Sequence, residues 1–518
     1  MKPPLSLSVT ASVLFAVIVL APVIYMVGAG IGLDGPGSTP GHSFLLDKRH
    51  ASLAGNSLGV AGGTALLSLF IGVPVAFLAA RTDAWWRSIL AVIYVVPVLI
   101  PPYIHAITWS HMDKFLQEYP GLDIHSLGGV VFVLALAYFP FVTLLAYTGF
   151  KSIDRNLEEA SLLYCGNWRT FRSVTLPLAA PHIFAGATFV FIFSIIDFSV
   201  PDILRVNVYP VEIFIQFSAF YDERAALFLS LPLIAVTLSL VLIQKWYMKN
   251  RSYVQISGEY SKGVIYGLGT GKPFAFAFCC LVMALAAVFP LVVLVGTAGP
   301  ISNYVKVLTT SLDQIVYSLV LASLGATATV SLAFALSYLI RHSVKGKLFL
   351  EIGTLIPFAV PAVTMGIGLI KVWNRPVGDI VYGSSMIIVF GYVARFIPFA
   401  VAAISSGMKQ LSPRLEEAAF LAVPGWKRII GRIVVPLLMP SLLISFFIVF
   451  ILAFGELGAT LLVTPPGKEV IPVRIYNLMH YGADQMVAAL CLIQLVIIFG
   501  LSCLCLVARN KLSARSSI

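Results

Sequence analysis

Few residues in this 518-residue chain have the types and spacing that chemistry requires. The nearest approach to a phosphate loop is Gly267-Leu268-Gly269-Thr270-Gly271-Lys272-Pro273. A phosphate loop needs a glycine five residues before its Gly-Lys pair, and a Ser or Thr after it to hold the metal. Those places are taken by Tyr266 and Pro273, so the run reads as a linker with a chance Gly-Lys. The eight histidines are scattered, with no His-x-x-x-His and no Ser/His/Asp grouping. His105, inside an apolar run, reads as a packed or pore-lining residue. None of the six cysteines (Cys165, Cys279, Cys280, Cys491, Cys503, Cys505) has zinc-site spacing with histidines. No catalytic, cofactor or metal site is expected.

Three ionisable residues fall in or beside apolar runs, where charge is costly and marks either a path or a pair. They are Asp197, Arg395 and Glu456. One reading is a buried Arg395–Glu456 ion pair that fixes helix packing. The other places Asp197 and Glu456 beside a gate in a translocation path. The sequence leaves both open.

The most informative chemistry is a polar element that occurs twice, about 258 residues apart. The first copy reads Leu157-Glu158-Glu159-Ala160, then Gly166, Trp168, Arg169, Arg172, Pro177 and Pro181. The second reads Leu415-Glu416-Glu417-Ala418, then Gly425, Trp426, Lys427, Arg428, Arg432, Pro436 and Pro440. Glutamates in early turns suit a helix dipole, and each glycine predicts a turn before a second helix. In that second helix Trp426, Ile429, Ile430 and Ile433 share one face, with Lys427, Arg428, Gly431 and Arg432 opposite. Trp168, Phe171 and Val174 repeat the apolar face, with Arg169 and Arg172 outward. Two matched polar elements in an apolar chain predict a docking surface in each half, rather than helices resting on headgroups.

The elements that must hold these residues are membrane spans. Hydrophobic residues make up 59% of the chain and charged residues 11%, with a mean hydropathy of +0.94. Twelve continuous apolar runs are long enough to cross roughly 30 Å of hydrocarbon. They lie near 8–30, 53–80, 86–110, 127–149, 179–200, 226–247, 273–297, 312–340, 348–371, 385–407, 440–463 and 486–508. The fold class is therefore all-α and polytopic, and continuous runs argue against barrel strands. Most of the 34 lysines and arginines fall in segments that share one side, which predicts cytoplasmic termini and cytoplasmic polar elements. The net charge of +11 then belongs to the inner membrane face, with no nucleic-acid partner required.

The repeat extends beyond the polar elements. Ser57-Leu58, Arg81, Pro97, Pro101 and Asp197 match Ser318-Leu319, Arg341, Pro357, Pro361 and Glu456 at nearly constant offset. Two tandem six-helix halves follow: 1–250 with a loop at 151–178, a linker at 251–272, and 273–518 with a loop at 408–437. Six spans per half make the repeats parallel.

The repeated elements resemble the EAA loop of ABC importer permeases of the binding-protein-dependent type. The duplicated layout resembles fused permeases of the ferric-iron type, which are themselves similar to thiamine, polyamine and phosphonate permeases. In the family the glycine usually follows the Glu by six residues, whereas Gly166 follows Glu159 by seven and Gly425 follows Glu417 by eight. The resemblance implies coupling surfaces at Glu158, Glu159, Ala160, Gly166, Trp168 and Arg169, and at Glu416, Glu417, Ala418, Gly425, Trp426 and Lys427. It implies a bacterial inner-membrane transport subunit without its own ATPase site. The expected partners are two copies of a cytoplasmic ABC ATPase, which uses the ATP, and an external substrate-binding protein. Ferric iron is the expected cargo, with thiamine, a polyamine or a phosphonate as the alternatives, carried by alternating access. The rivals are an ion- or proton-coupled secondary transporter and a membrane-embedded enzyme.

Overall fold

The computed structural model describes residues 5–32, 48–113, 123–249, 263–342, 347–412, 415 and 425–516. Among the described residues ten helices are long and apolar enough to cross a membrane, and two further bent pairs, each counted as one span, bring the number to twelve. In order they are Ser6–Ile31, Lys48–Arg81, the pair Arg87–Leu99 with Pro102–Ser110, Leu127–Lys151, Asn167–Ile195, Glu223–Tyr247, Gly269–Ala298, Leu312–His342, the pair Lys347–Ala359 with Ala362–Trp373, Met386–Gln410, Trp426–Phe454 and Asp484–Cys505. Numbered 1 to 12, they correspond one to one with the apolar runs. Helices prevail because hydrocarbon offers no water to backbone amides, so each segment must satisfy its own. Among the described residues no strand forms, and the one β-type pairing is a single bridge, Thr82 to Tyr266.

Prolines break spans 3 and 9 at matching places. Pro97 and Pro357 each open a short 3-10 turn, and Ile100 and Val360 are extended before Pro101 and Pro361. The residue before a proline is driven out of helical geometry. The helices on either side consequently meet at 80° in span 3 and 111° in span 9.

Compact packing groups the chain into two units, 41–212 with 232–296, and 1–40 with 213–231 and 297–518. The first unit thus holds spans 2 to 5 together with span 7, and the second holds span 1 together with spans 8 to 12. In the first unit, span 2 packs on spans 4 and 5 through small residues. A side chain at Gly72 or Gly186 would run into Val142. In the second, Gly368 of span 9 lies against Met26 and Pro22 of span 1. Small residues at helix crossings let backbones approach where lipid supplies no hydrophobic drive.

The internal repeat is visible atom by atom inside each unit. Ser57 Oγ accepts from Tyr209 N at 2.9 Å, and Ser318 Oγ accepts from Ile471 N at 2.7 Å. Arg81 donates from Nε to Phe150 O at 2.9 Å, and Arg341 donates to Met408 O and, at 3.0 Å, to Leu411 O. In each half one arginine caps the final carbonyls of the helix before a polar element, groups that the helix itself leaves unpaired.

Candidate functional site

The first polar element is built around Arg81 and Glu158. Span 4 ends at Lys151, and Asp154 caps the next helix, Arg155–Leu162, by accepting from Asn156 N at 2.9 Å. That helix turns Glu158 inward and Glu159 outward. Glu158 is 0% exposed; its Oε2 lies 3.1 Å from Arg81 Nη1, and its Oε1 accepts from Thr175 Oγ1 at 2.8 Å. Val264 N donates to Oε2 at 3.2 Å. Arg81, 2% exposed, also holds the carbonyls of Phe150 and Ile153. Buried charges persist only when paired and hydrogen-bonded, and both members of this pair are. Glu159 instead pairs at the surface with Arg155, 2.6 Å away and one turn earlier. Ala160 is exposed beside it.

Gly166 has φ −70° and ψ 168°, extended backbone open to any residue, and leads into Asn167–Thr170. Ser161 and Thr170 hydroxyls meet at 3.0 Å and tie the two short helices together. No loop separates the second short helix from the membrane. It runs through one wide π-type turn, Phe171–Thr175, directly into span 5. The second copy repeats this through Ile430–Val434 into span 11.

The outer face of the first element carries apolar side chains that none of the described residues covers. Leu163 is 84% exposed, Tyr164 92% and Trp168 72%. Trp168 stacks on Phe171 at 5.7 Å, and Arg169 and Arg172 are exposed beside it. The expected inward Trp168 is thereby corrected. The covered positions are Thr170, Phe171 and Thr175, with Phe171 against Phe77 at 4.8 Å, so the buried face starts one turn later. In the second copy Trp426 is half-buried, edge-on to Tyr338 at 6.1 Å, with Ile429 and Ile430 buried and Lys427, Arg428 and Arg432 exposed. Gly425 has φ +107°, a conformation that favours glycine. Glu416, Glu417 and Ala418 lie outside the described residues.

Asp197 and Glu456 each cap a short helix that follows a span. Asp197 Oδ1 accepts from Val200 N at 2.9 Å and Oδ2 from Tyr138 Oη at 3.0 Å. Glu456 accepts from Ala459 N at 2.8 Å and Thr460 N at 2.9 Å. Arg395 Nη1 stands 3.9 Å from Glu456 Oε1, within ion-pair range and beyond hydrogen-bond range. The residues of the first polar element and Asp197 are not brought together. The 29-residue helix Asn167–Ile195 lies between them, roughly 40 Å at 1.5 Å per residue.

Elsewhere the candidates are occupied or packed. His105 is fully buried just beyond the break in span 3. Lys272 of the Gly-Lys run pairs with Asp83 at 2.7 Å, at the start of span 7. Among the described residues no group of three or more His, Cys, Asp or Glu gathers as a metal site. Sequence reasoning missed Arg81, Thr175 and Tyr266 as the support of Glu158. It also missed Leu163 and Tyr164 as exposed apolar residues. The recurrence of Arg81 as Arg341 was the available signal, because an arginine ending a span in both halves needs a partner.

A family model, binding-protein-dependent transport system inner membrane component, matches residues 72–252 and again 328–515. The chain belongs to this family. Its members are transport components of the inner membrane, which fits the spans, and this places the chain among the ABC importer permeases as a transport subunit and not an enzyme. Membership entails an ABC ATPase and a substrate-binding protein as partners. Similar proteins include a ferric transport system permease protein of Actinobacillus pleuropneumoniae, 25% identical over 458 residues, which are 82% of this chain and 66% of that protein. The chain therefore spans just under two thirds of that relative's length. An Fe(3+)-transport system permease protein of Haemophilus influenzae is 22% identical over 466 residues, 88% of each chain. A molybdate/tungstate transport system permease protein of Pyrococcus abyssi is 31% identical over 195 residues, 37% of this chain and 75% of that protein.

Proposed function

We propose that this permease imports ferric iron delivered by an external binding protein. Both halves work as one translocating subunit, driven by two copies of an ABC ATPase. The ATPases dock on the polar elements at 155–175 and 425–434, on the cytoplasmic side, where both termini also lie. The observation that carries the docking reading is the exposed trio Leu163, Tyr164 and Trp168 on an otherwise polar element held by a buried ion pair. An exposed apolar cluster rimmed by Arg169 and Arg172 is what a partner surface looks like. The element is also rigidly continuous with span 5, so a push on it moves a membrane helix. Nucleotide-driven motion of the ATPases would then bias the halves between two access states. Iron is favoured because relatives named for ferric transport match 81–88% of this chain, whereas the molybdate/tungstate relative matches 37%.

Two measurements test this reading. Truncating central interface aromatics typically costs about 2 kcal/mol or more, about thirtyfold in affinity. Tyr164→Ala with Trp168→Ala should weaken ATPase capture by at least that factor, and capture within twofold of wild type would sink the docking assignment. In proteoliposomes with ATPase and binding protein, radiolabelled iron should accumulate only with ATP. Uptake of molybdate or 2-aminoethylphosphonate instead of iron would overturn the cargo.

A further inference from the structure

The linker between the halves does more than join them. Residues 263–272 lie along the first polar element in a run of specific contacts. Tyr266 N donates to Arg81 O at 2.8 Å, so the linker caps the last carbonyl of span 2, and Asp83 N returns a bond to Tyr266 O at 3.2 Å. Tyr266 Oη meets Thr175 Oγ1 at 2.9 Å, and that same hydroxyl donates to Glu158. Val264 N reaches the other carboxylate oxygen of Glu158. The Tyr266 ring lies 5.6 Å from Phe77, which in turn contacts Phe171 of the π-type turn. Gly263 packs directly on the Arg81 guanidinium, where any Cβ would collide. Leu268 N and Lys272 Nζ then take the two oxygens of Asp83, at 3.0 Å and 2.7 Å.

A passive connector would need none of these bonds. Glu158 has three donors, and one of them, with the support of a second, comes from the linker. Lys272 is also the first residue of the α-helix of span 7, after the 3-10 turn Gly269–Gly271, so the Asp83 tie joins the element's support to that span.

We propose that residues 263–272 are a positioning strap for the first docking element. Tyr266 and the Val264 amide fix Glu158 and Thr175, and the Asp83–Lys272 pair carries displacement of the element into span 7. Motor motion at the first element therefore reaches two membrane helices, span 5 directly and span 7 through the strap. This rests on the docking function proposed above.

The test uses the full-length permease and two readouts. The first, amide exchange at residues 155–175 of the purified permease, needs no ATPase. Tyr266→Phe removes one neutral hydrogen bond, and exchange there should quicken about fivefold. Gly263→Val, which displaces Arg81, should quicken it further. The second readout is iron taken up per ATP hydrolysed in the reconstituted complex, at ATPase binding matched to wild type. Both variants should lower that ratio severalfold while ATPase capture stays within twofold. Unchanged exchange overturns the positioning role. Quickened exchange with an unchanged ratio reduces the strap to packing and overturns the coupling claim. If wild-type uptake proves independent of ATP, the docking function fails, and the exchange arm still decides whether the strap positions Glu158.

Discussion

Arg81→Met isolates what holds the first polar element in place. In the structure one buried guanidinium serves Phe150 O, Ile153 O and Glu158 Oε2. Methionine keeps most of the volume and removes every donor. Glu158 would keep only the Thr175 hydroxyl and the Val264 amide, with its charge still buried. Breaking a buried ion pair by removing one partner costs about 3–5 kcal/mol, against about 0.3–0.5 kcal/mol for an exposed helical pair such as Arg155–Glu159. At about 1.4 kcal/mol per tenfold, the buried pair is worth about two to three and a half orders of magnitude in local opening. The observable loss is bounded by the element's own opening free energy.

The assay is hydrogen exchange by mass spectrometry on permease in nanodiscs, following peptides from 150–175. Arg81→Met should remove protection across 153–163 by roughly that factor and leave spans 8 to 11 unchanged. Arg155→Ala should alter it by about twofold at most. Arg81→Met with Glu158→Leu should recover most of the protection, because no buried charge remains unpaired. The reasoning is refuted if Arg81→Met stays within tenfold of wild type, or if the double variant is no better than the single one.

Three further outcomes follow from the geometry. Gly425→Ala, at φ +107°, should cost about 1–3 kcal/mol in thermal stability, whereas Gly166→Ala should fall within about 0.5 kcal/mol of wild type; equal effects would contradict the backbone assignment. Asp197→Asn can keep its bonds to Val200 and Tyr138, whereas Glu456→Gln loses one of its two backbone partners. Uptake should thus survive Asp197→Asn within twofold and fall modestly with Glu456→Gln; abolition by both, in folded protein, would make the charges part of a path and not caps. Docking of the strap should be insensitive to pH from about 5.5 to about 9. Lys272 first, then the Leu268 amide, holds the Asp83 carboxyl below its ordinary range, so that tie is complete above the ordinary carboxylate pKa of about 3.9 and lost only as pH falls through its lower folded value. Burial raises the Tyr266 phenol, so its share is present below about pH 10 and lost above its folded value. A transition in exchange protection at 263–268 between pH 6 and pH 8, after correction for intrinsic rates, would point to a group outside this set.

The twelve spans were legible because hydrocarbon length and backbone satisfaction leave little choice once an apolar run exceeds about 20 residues. The breaks in spans 3 and 9 were legible for a similar reason, since proline acts on its immediate neighbours. What escaped was phase and partnership. Glu158 and Glu159 are the same residue type side by side, and only the 100° between them on a helix decides which meets Arg81, 77 positions earlier in the chain. The π-type turn at Phe171–Thr175 was equally hidden, because an apolar helix start reads the same whether or not it is continuous with the span that follows. Trp168 was misplaced for that reason: the periodicity was right, but its origin was one turn off. Which unit a span joins depends on small-residue contacts such as Gly368 on Met26, and not on hydropathy.

The two halves show which features the fold requires and which it tolerates. A serine hydroxyl meets a helix amide in both, at Ser57 and Ser318, and an arginine caps span-end carbonyls in both, at Arg81 and Arg341. A carboxylate caps the helix after spans 5 and 11 even though its length differs, Asp197 against Glu456. These sites all terminate helices within or beside apolar surroundings, where an unpaired backbone group is most costly. The outer faces of the polar elements obey no such rule. Trp168 turns out and Trp426 turns in, one glycine is conformationally required and the other is not, and the 263–272 strap lies on the first element. The repeat is therefore strict where it closes helix ends and loose on the outer faces of the polar elements, where the proposed docking would take place. It follows that the two polar elements, similar as they are in sequence, should not be interchangeable: grafting 155–170 onto the second half would set Leu163, Tyr164 and Trp168 beside Arg341 in place of Arg81, away from the Val264 and Tyr266 bonds that Glu158 and Thr175 receive in the first.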